Sequence, residues 1–235
     1  MQLARKAWAS GTATLLCLAC VSVPASPTPG SGTLFGRLRL VPRDGVSLPA
    51  SGSGAYADPR LRDVELVDYT RPGFAVVWLD GHGVPGSKAR VTIRASEFET
   101  RLEPAWVALS RGGSLELVNT TPEVHTVSLP SLGAVRRLAP GDSLELRVAD
   151  AGAHPLFLLD RPQIEGGVFA APGPYTVISS TGQFELRDLA PGPSRLHAWH
   201  PRFPPVELGI DVVADETVRV DLEMGVGRGG AEASR

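Results

Sequence analysis

From Arg90 onward the chain repeats one pattern, an apolar residue at every second position, in short runs separated by glycine and proline. Val91 and Ile93 alternate with Arg90, Thr92 and Arg94, and Leu115 and Leu117 share one side of Ser114 to Asn119. His125, Val127 and Leu129 stand opposite Thr126 and Ser128. Leu144, Leu146 and Val148 alternate with Ser143, Glu145 and Arg147, and Val218, Val220, Leu222 and Met224 with Thr217, Arg219, Asp221 and Glu223. A β-strand sends successive side chains to opposite faces, so each run is predicted to be a strand with one face on a core and the other in water. No stretch carries the apolar period of an amphipathic helix. The 26 Gly and 21 Pro among 235 residues supply turns between the runs. Short strands at about 8–12-residue spacing predict an all-β chain of two β-sandwich domains.

Ahead of the regular runs, Leu34 to Leu40, Asp63 to Tyr69 and Phe74 to Leu79 also read as strands. Residues 26–33 read as a linker, 42–61 as a long Pro/Gly/Ser/Ala-rich loop, 80–83 as a turn and 225–235 as a disordered tail. Residues 1–25 have the form of a signal peptide. Arg5 and Lys6 precede a stretch of apolar and small residues, and Val23-Pro24-Ala25 offers a cleavage site. Leu18-Ala19-Cys20 resembles the end of a bacterial lipobox, which makes Cys20 the lipidation candidate. The chain is therefore expected to be exported, as a periplasmic, outer-membrane-anchored or secreted protein. A lipid anchor would be its one link to a membrane.

The net charge of −2 gives no electrostatic footprint for nucleic acid. Both cysteines, Cys17 and Cys20, lie in the leader, so the folded part is expected to hold neither a disulfide nor a thiolate ligand. No nucleophile elbow, zincin motif, phosphate loop or dinucleotide fingerprint occurs. The chain is accordingly expected not to be an enzyme.

Residues 98–171 carry a more specific signal. Phe98 to Trp106 leads to Gly113-Ser114-Leu115-Glu116-Leu117-Val118-Asn119, then to Thr120, Thr121 and the strand of His125. Leu138-Ala139-Pro140-Gly141-Asp142 precedes another strand, and a turn at Gly152 opens Pro155 to Ala170. This order resembles the cupredoxin (plastocyanin-like) family. The resemblance implies a Greek-key sandwich and a blue copper site made of two His, one Cys and a weak axial Met. Aligned through Pro162 and Gly166, His125 keeps the first ligand position, while Leu158 falls at the Cys, Arg161 at the second His and Ile164 at the Met. A guanidinium has no lone pair to offer. The domain is thus expected to hold no copper and no other cofactor, with His125 as the residual metal candidate. The leading expectation for His125 is nevertheless a core or boundary histidine bonded to a backbone carbonyl.

Residues 172–224 form the last expected domain. Within them, Ser180-Thr181-Gly182-Gln183-Phe184-Glu185-Leu186-Arg187-Asp188-Leu189-Ala190-Pro191-Gly192 resembles the carboxypeptidase-regulatory-like (transthyretin-like) family, a carbohydrate-binding-like fold. Gly182 should turn a hairpin, with Phe184 and Leu186 pointing inward. In an N-terminal β segment, 34–97, the strands Leu34–Leu40 and Phe74–Leu79, above all Ala75-Val76-Val77-Trp78-Leu79-Asp80-Gly81, look like the opening strands of the same module.

His82 and His154 read as surface residues, and His197 and His200 as facing opposite sides of one strand. The leading functional expectation is a non-catalytic binding or structural protein of the envelope, with a protein or glycan partner. The 42–61 loop, Arg136-Arg137 and exposed Trp side chains are its candidate contacts. The alternatives are a copper-binding electron-transfer protein and a carbohydrate-binding module. The last would need exposed aromatics on a flat face, and Trp78, Trp106 and Trp199, the Trp residues beyond the leader, each read as strand residues packed on a core.

Overall fold

A computed structural model describes residues 28–42, 68–81, 86–96, 99–225 and 228–234. The expected signal peptide with Cys20, most of the 42–61 loop, and His82 lie outside these residues. The described residues are all-β apart from a 3-10 turn at Pro130–Leu132. None of their helices is long and apolar enough to cross a membrane.

Among the described residues the strands form two sandwiches with separate cores. In one, β4 (Thr100–Glu103), β3 (Lys88–Ala95), β6 (Ser114–Asn119) and β9 (Ser143–Arg147) form a sheet in that order. It faces a second sheet, ordered β5 (Trp106–Ser110), β11 (Arg161–Ala171), β10 (Gly152–Leu158), β7 (His125–Leu129) and β8 (Ala134–Leu138). The alternating runs supply the inner faces: Val91, Ile93, Leu115, Leu117, Val127, Leu129, Leu156 and Leu158 belong to one buried cluster. Each fully buried Leu or Ile contributes about 1.5–3 kcal/mol relative to leaving it in water.

The other sandwich is drawn from both ends of the chain. β1 (Gly32–Val41) lies between β13 (Gln183–Leu189) and β16 (Thr217–Gly225), with β17 (Arg228–Ser234) beyond β16. β2 (Val76–Leu79) lies between β12 (Tyr175–Val177) and β14 (Gly192–His200), with β15 (Phe203–Val212) beyond β14. Leu34, Leu38, Phe184, Leu186, Leu196, Val220, Leu222 and Met224 share its core. At Gly36 a Cβ would come 1.6 Å from the Val220 carbonyl oxygen, so the close parallel pairing of β1 with β16 requires glycine there. Gly182 has φ 81° and donates its N–H to Ser179 O at 2.9 Å, closing the turn into β13.

Three local expectations change. Residues 88–95 were expected with the N-terminal segment. They instead pair with β4 and β6, because only there do Val91 and Ile93 find a core. In the expected tail, Arg228–Ser234 forms β17 antiparallel to β16, since the edge of β16 offers a backbone ladder that needs no apolar side chains. Asp68 and Tyr69, at the end of an expected strand, lie at a turn.

The sandwiches meet through aromatic side chains. Val76 and Phe169 pack with Phe74, Trp78, Tyr175 and Trp199. Trp199 lies 4.8 Å from Phe169 and 5.1 Å from Trp106, ring centre to ring centre, and Trp78 lies 4.9 Å from Phe169. Trp78, Trp106 and Trp199, expected to pack in their strands, are half-buried and take part in this junction.

Candidate functional site

Strand register assembles the site around His125. β7 and β10 are antiparallel, with Val127 opposite Leu158 and Ser128 opposite Phe157. Carried past the end of the ladder, with Leu159 N–H bonded to Thr126 O at 2.8 Å, this register sets Asp160 opposite His125. His125 sits at the start of β7 on the inward face with Val127 and Leu129, and it is fully buried.

Both of its ring nitrogens are engaged. Nδ1 lies 2.7 Å from Asp160 Oδ2 and Nε2 lies 2.9 Å from Thr121 Oγ1. The other carboxylate oxygen of Asp160 accepts the Thr126 N–H at 3.0 Å. Burial pushes the Asp160 carboxyl up, but the bonds from Thr126 N–H and His125 outweigh it and hold the group below its ordinary value of 3.8. An ionised Asp160 only accepts, so Nδ1 carries a proton and donates.

Asn119 fastens the far side. Its Nδ2 donates to Glu123 O at 2.8 Å and Leu138 O at 3.1 Å, and its Oδ1 accepts the Thr121 N–H at 3.0 Å. Thr121 Oγ1 lies 2.8 Å from the same Oδ1. The hydroxyl therefore has two good states. With a neutral ring it donates to Nε2. With an imidazolium it accepts from Nε2–H and turns its own proton to Asn119. No group in this buried network is orphaned in either state, the condition a buried polar network must meet.

Hydroxyl, imidazole and carboxylate in line is also the arrangement of an activated nucleophile. Thr121 is only 3% exposed, and Asn119 and His125 are fully buried, so the hydroxyl is closed to a substrate. The expected bond of His125 to a backbone carbonyl is replaced by these side-chain partners. Asp160, Thr121 and Asn119 were missed by sequence reasoning. Asn119 stands in the motif before His125, but nothing local to Asp160 announces its pairing across the sheet.

The positions matched to the copper ligands do not fit a copper ion. Leu158 is fully buried in the core and Ile164 packs against it, and neither side chain has a donor atom. Arg161 points its guanidinium to Glu123 Oε2 at 2.8 Å. One nitrogen donor remains, and its Nδ1 is bonded to a carboxylate. No group of three His, Cys, Asp or Glu able to hold a metal occurs among the described residues. Beside the Arg161–Glu123 pair lies an open hollow of about 520 Å³, also lined by Glu99, Gln163 and Ile164.

The other described histidines are held separately. His154 was expected at the surface but is buried, with its ring between Ser131 Oγ and Asp150 O, because it shares the inward face of β10 with Leu156 and Leu158. His197 and His200 do lie on opposite faces of β14. His197 stacks on Trp78 and bonds Asp80 at 2.9 Å. His200 bonds Pro72 O at 2.9 Å, and its burial holds it below its ordinary value.

No family model matches the chain, and no curated protein matches it. Solved structures similar to it include a purple cupredoxin from Nitrosopumilus maritimus, 17% identical over 35% of this chain and 99% of its own, with a TM-score of 0.32. Plastocyanin from Dryopteris crassirhizoma is 14% identical over 35% of this chain and 99% of its own, with a TM-score of 0.30. Amicyanin from Paracoccus versutus is 15% identical over 40% of this chain and 96% of its own, with a TM-score of 0.32.

Proposed function

We propose that this is an exported, non-catalytic protein of the cell envelope in which a cupredoxin-like sandwich without copper is joined to a carboxypeptidase-regulatory-like (transthyretin-like) sandwich, and that its role is binding or structural. The observation that carries this reading is the state of His125: both ring nitrogens are committed, to Asp160 and to Thr121, and among the described residues it belongs to no group of three or more His, Cys, Asp or Glu that could hold a metal. A copper ion would have to displace a charged hydrogen bond and would then find too few donors. The Asp160–His125 bond fixes the end of the sandwich where the ligand positions lie, so the fold serves as a scaffold for surface contacts. The test is titration of the purified protein with Cu(II) and, under reductant, Cu(I). Neither strong visible absorption nor tight stoichiometric binding is expected, and either one would overturn the reading.

A saccharide-binding role is the second reading, favoured by the outer face of the β13-β1-β16-β17 sheet. Phe35 is 40% exposed there, and its register partners are Glu185 and Arg219. An open hollow of about 800 Å³ runs over it, lined also by Arg37, Gln183 and Asp221. An exposed ring among charged and amide groups suits a sugar ring with its hydroxyls. Binding on a glycan array that is lost in Phe35→Ala would support this role, and an array without hits would remove it.

A further inference from the structure

β10 pairs with β7 through Phe157–Ser128 and Leu158–Val127, and its start packs on the 3-10 turn after β7, where His154 meets Ser131. There the geometry is direct. Ser131 Oγ lies 2.9 Å from His154 Nδ1, and His154 Nε2 lies 2.9 Å from the Asp150 carbonyl oxygen. A carbonyl oxygen only accepts, so Nε2 must carry the proton. In the neutral ring this leaves the lone pair on Nδ1, aimed at the Ser131 hydroxyl, which donates to it. The imidazole is 4% exposed and fixed in both tautomer and orientation, whereas Ser131 is exposed. Its backbone is held in the 3-10 turn between β7 and β8 by Pro130 and by Gly133, whose N–H bonds Pro130 O at 3.0 Å. A hydroxyl, a base within hydrogen-bond reach and a group orienting that base make an activated nucleophile, here with the hydroxyl open to solvent.

We propose that Ser131 is a nucleophilic serine, a site of covalent acylation by small activated acyl donors such as esters or thioesters, with His154 as its general base. Oγ bonds to the acyl carbon as its proton passes to His154 Nδ1. The bond from the acyl carbon to the leaving group then breaks, and the departing alkoxide or thiolate takes the electron pair and the proton from the imidazolium. The products are acyl-Ser131, a neutral His154 and a free alcohol or thiol. No second residue and no cofactor is consumed. The site is distinct from the closed Thr121–His125 arrangement and does not depend on whether the chain binds copper.

The full chain treated with p-nitrophenyl acetate tests this, with acetylation rates read by peptide mass mapping. Ser143, exposed at the start of β9 and without a histidine partner among the described residues, is the internal control. General-base activation predicts that Ser131 is acetylated at least roughly 100-fold faster than Ser143. The excess should vanish in urea and in His154→Gln. Equal rates at Ser131 and Ser143 in the folded protein would overturn the proposal, as would an unchanged Ser131 rate in folded His154→Gln. Should His154→Gln not fold, the ratio in the wild-type chain, with and without urea, decides alone.

Discussion

The two ends of β7 hold the same ring in opposite surroundings. At one end His125 is fully buried, with Asp160 and Thr121 taking up its hydrogen bonds and Asn119 holding Thr121 in turn. At the other, His154 is nearly as buried but hands one nitrogen to an exposed serine. The bonds are of similar length, 2.7–2.9 Å, and both sites flank the short ladder that joins β7 to β10. The difference between a structural fastening and a reactive group therefore lies in which partner meets water. A hydroxyl aligned with an imidazole is only as useful as its approach path.

The largest effect that sharpens this contrast is expected from Asn119→Ala. It strips the partners from Leu138 O, Glu123 O and the Thr121 N–H in the interior. A loss of about 4 kcal/mol is expected, measured as a lowered urea midpoint. Asp160→Asn comes next, at about 2 kcal/mol, because it replaces a charged acceptor by a neutral one at Nδ1. A loss under about 0.5 kcal/mol would show that the closed end is not a fastening.

A smaller effect is the pH dependence. The folded carboxyl of Asp160 lies below its unfolded value, so the folded state takes up its proton later than the unfolded state does. The stability it contributes is fully present above the unfolded value near pH 4 and is lost as pH falls through the lower folded value. His200 behaves in the same sense at higher pH. Burial holds it below 6.5, so its contribution is present above pH 6.5 and fades as pH falls below that value. Thermal melts from pH 7.5 to 3 should show both regions, with Asp160→Asn flattening only the more acidic one. The smallest expected effect is that of Ser131→Ala at the open end, within about 0.5 kcal/mol at any of these pH values, since water can replace the exposed hydroxyl.

The alternating runs were legible because each strand keeps one face on a core. The inward sides of β3, β6, β7 and β16 are those the period-2 pattern names. The same pattern covers His154, which falls on one face with Leu156 and Leu158, so its burial could have been read from spacing. The pairings His125–Asp160 and Ser131–His154 could not. They arise from where β10 slides to rest against β7, and that depends on the whole core. The strand Arg228–Ser234 was hidden for a different reason. It is rich in glycine and contributes backbone bonds to an edge, which leave no hydrophobic signature. The Leu, Arg and Ile at the expected donor positions were visible at once, because the absence of a ligand atom is a property of residue type alone.

The interleaved connectivity has a consequence for how the molecule comes into being. β1 is among the first strands to be made, yet its neighbours β13 and β16 are encoded roughly 150 and 180 residues later. The sandwich of β3 to β11 is contiguous in sequence and can close while its elder sibling strands still wait for partners. Until residue 217 has emerged, β1 presents an unpaired edge with Leu34, Leu38 and Leu40 uncovered. The finished inner sandwich then serves as an anvil: its Trp106 and Phe169 are already in place when Trp199 arrives.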